Sequence, residues 1–408
     1  MNVQKVFRYT VLVFGVLIFT VGLFRLNPFL TFMSVLYLVL MSKILDMEPD
    51  EYSEFSMNTL KRDLFVWCFF PMVLGAIGTT QVIDEYFFFI FLDLAYMTLA
   101  AILAFMLMIV LNYHTDFRPD RKLVIFFIVI FTIAAGTVTG IIRYYIDIYL
   151  GTIYLGGNTY LMAYLTMVTI LGIAIGLNIE DYICHYEFFP LEDMDSDLTL
   201  KADMTNDRKE FLKFLNMKFH RYEWNYLIVL SRFLQAGIFV TVVYGFLTEN
   251  LSVFSWSVFS LIVALSPDLF SIKTDTKAPT VLYLWIGLAT FIFAVGRPLG
   301  FYGRFDNWAG ITHMLTGTLI GVLVFSLMQY LNHISKNIYI PEYMIVAIVL
   351  ISIFPVGVIW EIAEFQVDVF FDKNLQAGIK DTVHDLLCNF VGASISVFMA
   401  YFLERNTS

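Results

Sequence analysis

The sequence predicts an all-α polytopic membrane protein, and three observations predict it. Of the 408 residues, 59% are hydrophobic and 17% aromatic. Only 15% are charged, against about a quarter in soluble domains. Apolar runs near the ~20 residues needed to cross hydrocarbon recur along the whole chain. Backbone groups cannot be left unpaired in lipid, so each run must be a helix. The net charge of −10 sits mostly in the loops. It points to membrane lipids as the surroundings, with no nucleic-acid partner and no polybasic surface anchor. Cys68, Cys184 and Cys388 are widely separated and form neither a metal spacing nor a disulfide framework.

Taken in order, the runs give about twelve transmembrane helices, near 6–24, 28–44, 63–82, 86–112, 123–143, 160–177, 225–247, 252–272, 279–296, 308–330, 343–363 and 384–403. The first, VFRYTVLVFGVLIFTVGLF, has basic flanks and no small-residue cleavage site, so it reads as a retained span. Run 28–44 is short enough to be re-entrant instead. With the N-terminus inside, Lys5, Arg8, Lys43, Lys61, Arg62, Arg118, Arg121 and Lys122 all fall on the cytoplasmic side, as do the basic residues of loop 178–224. Arg25, Arg297, Arg304, Lys373 and Lys380 fall outside. The bias places both termini in the cytoplasm. Three parts follow: a membrane half over 1–178, a cytoplasmic linker over 179–224, and a second membrane half over 225–408. Within the linker, DMTNDRKEFLKFLNMKF reads as a short amphipathic helix with Thr205 or Asn206 as its cap.

The halves resemble one another, as a 6+6 parallel internal repeat would. LDLAYMTLAAILAFMLMIVLNY (92–113) is similar to ITHMLTGTLIGVLVFSLMQYLNH (311–333), and GIIRYYIDIYLGTIYLGGNTYLM (140–162) to GVIWEIAEFQVDVFFDKNLQAGIKDT (357–382). Anchoring on the shared glycine puts Asp147 opposite Glu364 and Arg143 opposite Trp360. Anchoring on the shared Leu-Asn puts Asp93 opposite His313. Six spans per half is an even number, so the copies would be related by an axis along the membrane normal.

The chemistry gathers near the C-terminus. By span order, His313, Glu361 and Glu364, and Asp381 and Asp385 all reach the extracytoplasmic level from three different helices. Glu361, Glu364 and Asp368 are spaced i, i+3, i+7 on one helix face; Asp381, Asp385 and Asn389 are spaced i, i+4, i+8 on another. Gly392 and Ala393 lie beside that second stripe and let a neighbouring helix approach. Ionisable groups at membrane depth are costly and usually face a cavity or the bundle interior. Crowded carboxylates need a cation or shared protons among them. With His313 as a ligand, the donors His313, Glu361, Glu364, Asp381 and Asp385 suit a divalent metal ion, zinc or manganese included. Shared protons would instead give Glu361, Glu364 and Asp385 catalytic acid–base or relay roles. Asp381 also has the placing of a helix N-cap. In the first half, Asp93, Arg143 and Asp147 reach the same level. There Arg143 and Asp147, at i, i+4, read as an ion pair that fixes packing, or as part of a ligand site. Arg232 is a further intramembrane charge, its partner not legible from sequence.

The segment WEIAEFQVDVFFDKNLQAGIKDTVHDLLCNFVGA resembles the C-terminal signature of a prokaryotic membrane family, the YjdF-like proteins, distantly similar to VanZ-like proteins. The signature falls on Trp360, Glu361, Glu364, Asn374, Gln376, Gly378, Asp381, Thr382, Asp385, Gly392 and Ala393. RFDNWAGITHMLTG resembles the family's Asp-x-x-x-His segment at His313 and Gly317. The position four before the histidine is Ala309, so either Asp306 substitutes from a turn away or one ligand is missing. The resemblance covers about residues 296–400 and implies a fold, a site and a prokaryotic cell membrane, but no reaction. Its VanZ-like side points to envelope lipids. Three functions stay open: a metal-assisted enzyme on envelope lipid headgroups or polyprenyl phosphates, a proton- or cation-coupled transporter, and a non-catalytic membrane scaffold.

Overall fold

A computed structural model describes residues 3–24, 27–47, 54–78, 85–186, 200–219, 225–305, 307–335, 338–371 and 375–405. Every regular element among them is helical apart from one isolated β-bridge. The chain divides into two compact units. Unit 1 comprises Met1–Asp193 and Ser335–Val383, and unit 2 comprises Met194–Ile334 and His384–Ser408. Residues 335–383 thus fold with the N-terminal helices, although in sequence they lie between the two stretches of unit 2.

Unit 1 contains α1 (Val3–Phe24), α2 (Pro28–Leu45), α3 (Glu54–Gly78), α4 (Glu85–His114), α5 (Arg121–Leu150), α6 (Asn158–Tyr186) and α14 (Glu342–Phe371). Its central helix is α4, with 72% of its membrane-length window buried against 22% for α1 at the periphery. The starts and stops follow from local chemistry. Asn27 caps α2 by accepting from Leu30 N at 2.9 Å, ahead of Pro28 in the first turn. Asp120 caps α5 by accepting from Leu123 N at 2.9 Å. Gly151, at φ +66°, ends α5 in the left-handed conformation that glycine adopts without strain.

Unit 2 contains α7 (Leu200–Phe219), α8 (Asn225–Leu247), α9 (Leu251–Ala264), α10 (Ser266–Thr274), α11 (Thr280–Gly296), the single turn α12 (Phe301–Arg304) and α13 (Trp308–Ile334). The last helix, α15 (Ile379–Arg405), begins in unit 1 and continues into unit 2. The expected linker helix is α7, but it starts at Leu200, ahead of the anticipated Thr205 or Asn206 cap. Its apolar face, Leu212, Leu215 and Phe219, is buried on Ala278, Leu282 and Tyr283. It is therefore packed into unit 2. Arg232 of α8 finds its partner in α10: its guanidinium grips Asp268 through two bonds of 2.6 Å.

Among the described residues, eight helices are long and apolar enough to cross a membrane, and nine if α9 and α10 count as one span. These two meet at a bend of 42°. Pro267 in the first turn of α10 accounts for it, since its ring cannot continue the preceding helical ladder. Of the other expected spans, Phe29–Leu45 and Thr280–Gly296 are helices shorter than that length, and 63–82 runs partly outside the described residues. The chain is a multi-pass membrane protein whose apolar helices contact lipid.

Candidate functional site

In unit 1, Glu361 and Glu364 are both buried on α14. Glu361 Oε2 accepts a hydrogen bond from Gln376 Nε2 at 3.0 Å. Gln376 in turn accepts, through Oε1, from Asn158 Nδ2 at 2.7 Å. A polar chain therefore runs Asn158–Gln376–Glu361 through an apolar interior. At its two ends, Glu361 Oε1 and Asn158 Oδ1 are buried with no hydrogen-bond partner among the described residues. Buried polar atoms are nearly always paired, so these two mark a place where something polar is to be held. Gln376 is fixed from behind by Asp368, which accepts from Leu375 N at 2.7 Å and Gln376 N at 2.9 Å. Asp381 accepts from Ala377 N at 2.9 Å, closing the turn that opens α15. It lies in the first turn of α15 and reaches back to the preceding loop, while Gly378 takes the N-cap position expected for Asp381.

In unit 2, His313 of α13 and Asp385 of α15 form a second group. His313 Nε2 lies 3.3 Å from Asp385 Oδ2, and Asn389 Nδ2 lies 3.1 Å from His313 Nδ1. If the Asn389 amide donates, Nδ1 accepts and the Nε2 proton is directed at Asp385. If the amide is turned, Nδ1 carries the proton and Nε2 has a lone pair for a cation. In the first arrangement both nitrogens are held, as in acid–base histidines; in the second Nδ1 alone is held, as in metal-ligating ones. His384 Nδ1 lies 3.4 Å from Asp385 Oδ1, but this ring is about half exposed. The helices meet closely here. A Cβ on Gly392 would fall 2.1 Å from Met314 O, and one on Gly317 2.4 Å from Asn389 O. Asp306 lies outside the described residues.

The first-half residues also belong to unit 1, with one correction. Arg143 does not pair with Asp147. Its Nη1 donates to Asp93 Oδ2 at 3.2 Å and its Nη2 to Asp93 Oδ1, a two-pronged bridge from α5 to α4. Tyr160 OH donates to the same carboxylate at 3.4 Å, and the Tyr164 ring centroid lies 5.2 Å from the guanidinium carbon. Asp147 sits in the last turn of α5, where loop amides compete for it. It accepts from Thr152 Oγ1 at 2.6 Å, Tyr154 N at 2.7 Å and Leu155 N at 2.8 Å.

Asp147 and Asp368 thus make the same motif: each accepts from the amides seven and eight residues on. Each is followed ten residues on by a glycine of positive φ, Gly157 at +123° and Gly378 at +116°. The next residue in each case begins a helix, α6 or α15. The preceding helices, α5 and α14, begin at 121 and 342 and end at 150 and 371, a constant separation of 221. Arg118 and Tyr339, also 221 apart, form the isolated antiparallel bridge, each N–H donating 2.8 Å to the other's carbonyl. This register sets Arg143 opposite Glu364 and Gly140 opposite Glu361, displacing the glycine-anchored alignment by four residues. Gln376 belongs to the family signature, but an uncharged amide after a loop gives no sign from spacing alone that it holds Glu361.

Residues 229–406 match a protein-family model described as "Predicted membrane protein (DUF2238)". The match includes His313, Glu361, Glu364 and Asp385 and excludes Asp93 and Arg143. The chain is also similar to an uncharacterised protein of Thermotoga maritima, 26% identical over 175 residues, which are 42% of this chain and 88% of the relative. No solved structure matches.

Proposed function

We propose that the protein works at the extracytoplasmic face of a prokaryotic cell membrane. In this reading Glu361 and Glu364 of unit 1 bind a divalent cation and act on an envelope lipid headgroup or polyprenyl phosphate. The observation that carries it is Glu361. One of its oxygens is fixed by Gln376 and the other is buried and unpartnered. A carboxylate left so is costly, and a cation offsets that cost. Carboxylate and amide oxygen donors suit a hard divalent ion such as Mg²⁺ or Mn²⁺. When bound, such an ion would polarise a phosphoryl oxygen or lower the pKa of a water. Within unit 1, Gln376 would orient it by holding Glu361.

The two halves are read as diverged parallel copies within the twelve-span arrangement, both termini inside. The shared Asp motif, the 221-residue spacing and the self-paired Arg118–Tyr339 bridge support this, because an axis along the membrane normal makes in-plane segments pair antiparallel with their own counterparts. In that register the first copy supplies a cation of its own, since Arg143 stands where the second has Glu364. The second copy therefore takes its cation from solution. The same duplication favours the runner-up, a cation- or proton-coupled transporter.

Metal content of the detergent-solubilised protein, measured by mass spectrometry, tests the reading. The wild type is expected to hold close to one divalent ion per chain, and a monodisperse Glu361→Gln variant to lose it at least tenfold. A wild type that stays metal-free after reloading would transfer the assignment to protons.

A further inference from the structure

Unit 1 encloses a cavity of about 410 Å³, within the range of ligand sites in general. Its position and shape identify an occupant. The longest wall is α5, which lines it from Phe131 to Ile146. Fifteen residues of helix rise about 22 Å, about three-quarters of the ~30 Å hydrocarbon core. The space exists because Ala134 and Ala135 face it where larger side chains would fill it. Phe32, Val138 and Ile142 line the cavity while being 60%, 38% and 43% exposed, so it opens sideways along helices that contact lipid. The wall is apolar along its length and polar at one end, where Asn27, Arg143 and Tyr154 gather.

The polar end narrows the chemistry further. Arg143 is neutralised by Asp93 and is not a free cation. Two of its five N–H groups are directed at that carboxylate. A neutral ion pair with donors to spare favours an uncharged acceptor over an anion. We propose that this cavity holds one acyl chain of a membrane phospholipid, its ester carbonyl at the Arg143 end and its methylenes along Val138, Ala135 and Phe131. The site lies within unit 1 and does not depend on the metal reading.

Two experiments on the full-length protein test this. Native mass spectrometry after extensive delipidation is expected to find one phospholipid per wild-type chain. Ala135→Trp and Val138→Trp, which fill the cavity, are each expected to lower that occupancy at least fivefold. Wild-type protein that retains no phospholipid, or monodisperse variants that retain as much as wild type, would overturn the proposal. Should both variants fail to fold, the wild type decides alone, using a phosphatidylcholine with a diazirine in its acyl chain. Adducts concentrated between residues 131 and 146 are expected. Adducts spread evenly over all lipid-facing helices, or adducts at 131–146 displaced by free fatty acid but not by unlabelled phosphatidylcholine, would refute a phospholipid acyl site.

Discussion

At the residue scale, ionisable groups inside apolar helices were legible one by one, but their partners were not. Glu361 and Glu364 announced themselves by spacing, and the structure buries both. Arg143 and Asp147 had the spacing of a helical ion pair, yet the terminal position of Asp147 gave its oxygens to loop amides instead. Arg143 then took Asp93, fifty residues away on α4, a pairing that no local pattern contains. Removing one member of such a pair strands a buried charge. Arg143→Met is therefore expected to cost about 3–5 kcal/mol, while Asp93→Leu combined with Arg143→Met recovers most of the loss. Thermal unfolding of the detergent-solubilised variants measures both. Recovery no better than the single variant would mean that the pair positions the cavity wall by more than charge.

At the element scale, helix positions followed from apolar runs with little loss, because lipid leaves the backbone no alternative. Lengths were less legible: Phe29–Leu45 and Thr280–Gly296 fall short of a full crossing, and Pro267 breaks a run that composition alone joins. The repeated Asp motif shows how a helix end and the next helix start are specified together. Asp147→Ala and Asp368→Ala each release two amides, at an expected cost of about 0.5–2 kcal/mol apiece by analogy with lost caps. They should differ in one respect. Asp368 secures the backbone of Gln376, so Asp368→Ala should also weaken metal retention, while Asp147→Ala leaves it unchanged. Equal metal content in both variants would detach Gln376 from the site. In unit 2, Gly392→Val would drive a side chain into the Met314 carbonyl. Overpacking of this kind costs about 1–3 kcal/mol, read as a lower unfolding temperature.

At the scale of the whole molecule, composition established the class, and the family match over 229–406 agrees with it. The division into units was not legible, because apolar runs say where helices are and not which of them pack together. Unit 1 needs α14, which packs on α5 and α6 and begins 156 residues after α6 ends (342 against 186). Residues 1–193 expressed alone should accordingly be degraded or aggregate, and co-expression with residues 194–408 should rescue them; a stable, monodisperse fragment would refute the need for α14. The same feature has a bearing on biosynthesis. Unit 1 cannot close until residue 383 has been made, 190 residues after residue 193. At ordinary synthesis rates of 5–20 residues per second, that is a wait of roughly 10–40 s. Through that interval the nascent chain holds Asn158 without Gln376 and α5 without its covering helix, and the translocation machinery or surrounding lipid must shield what the ribosome has yet to supply.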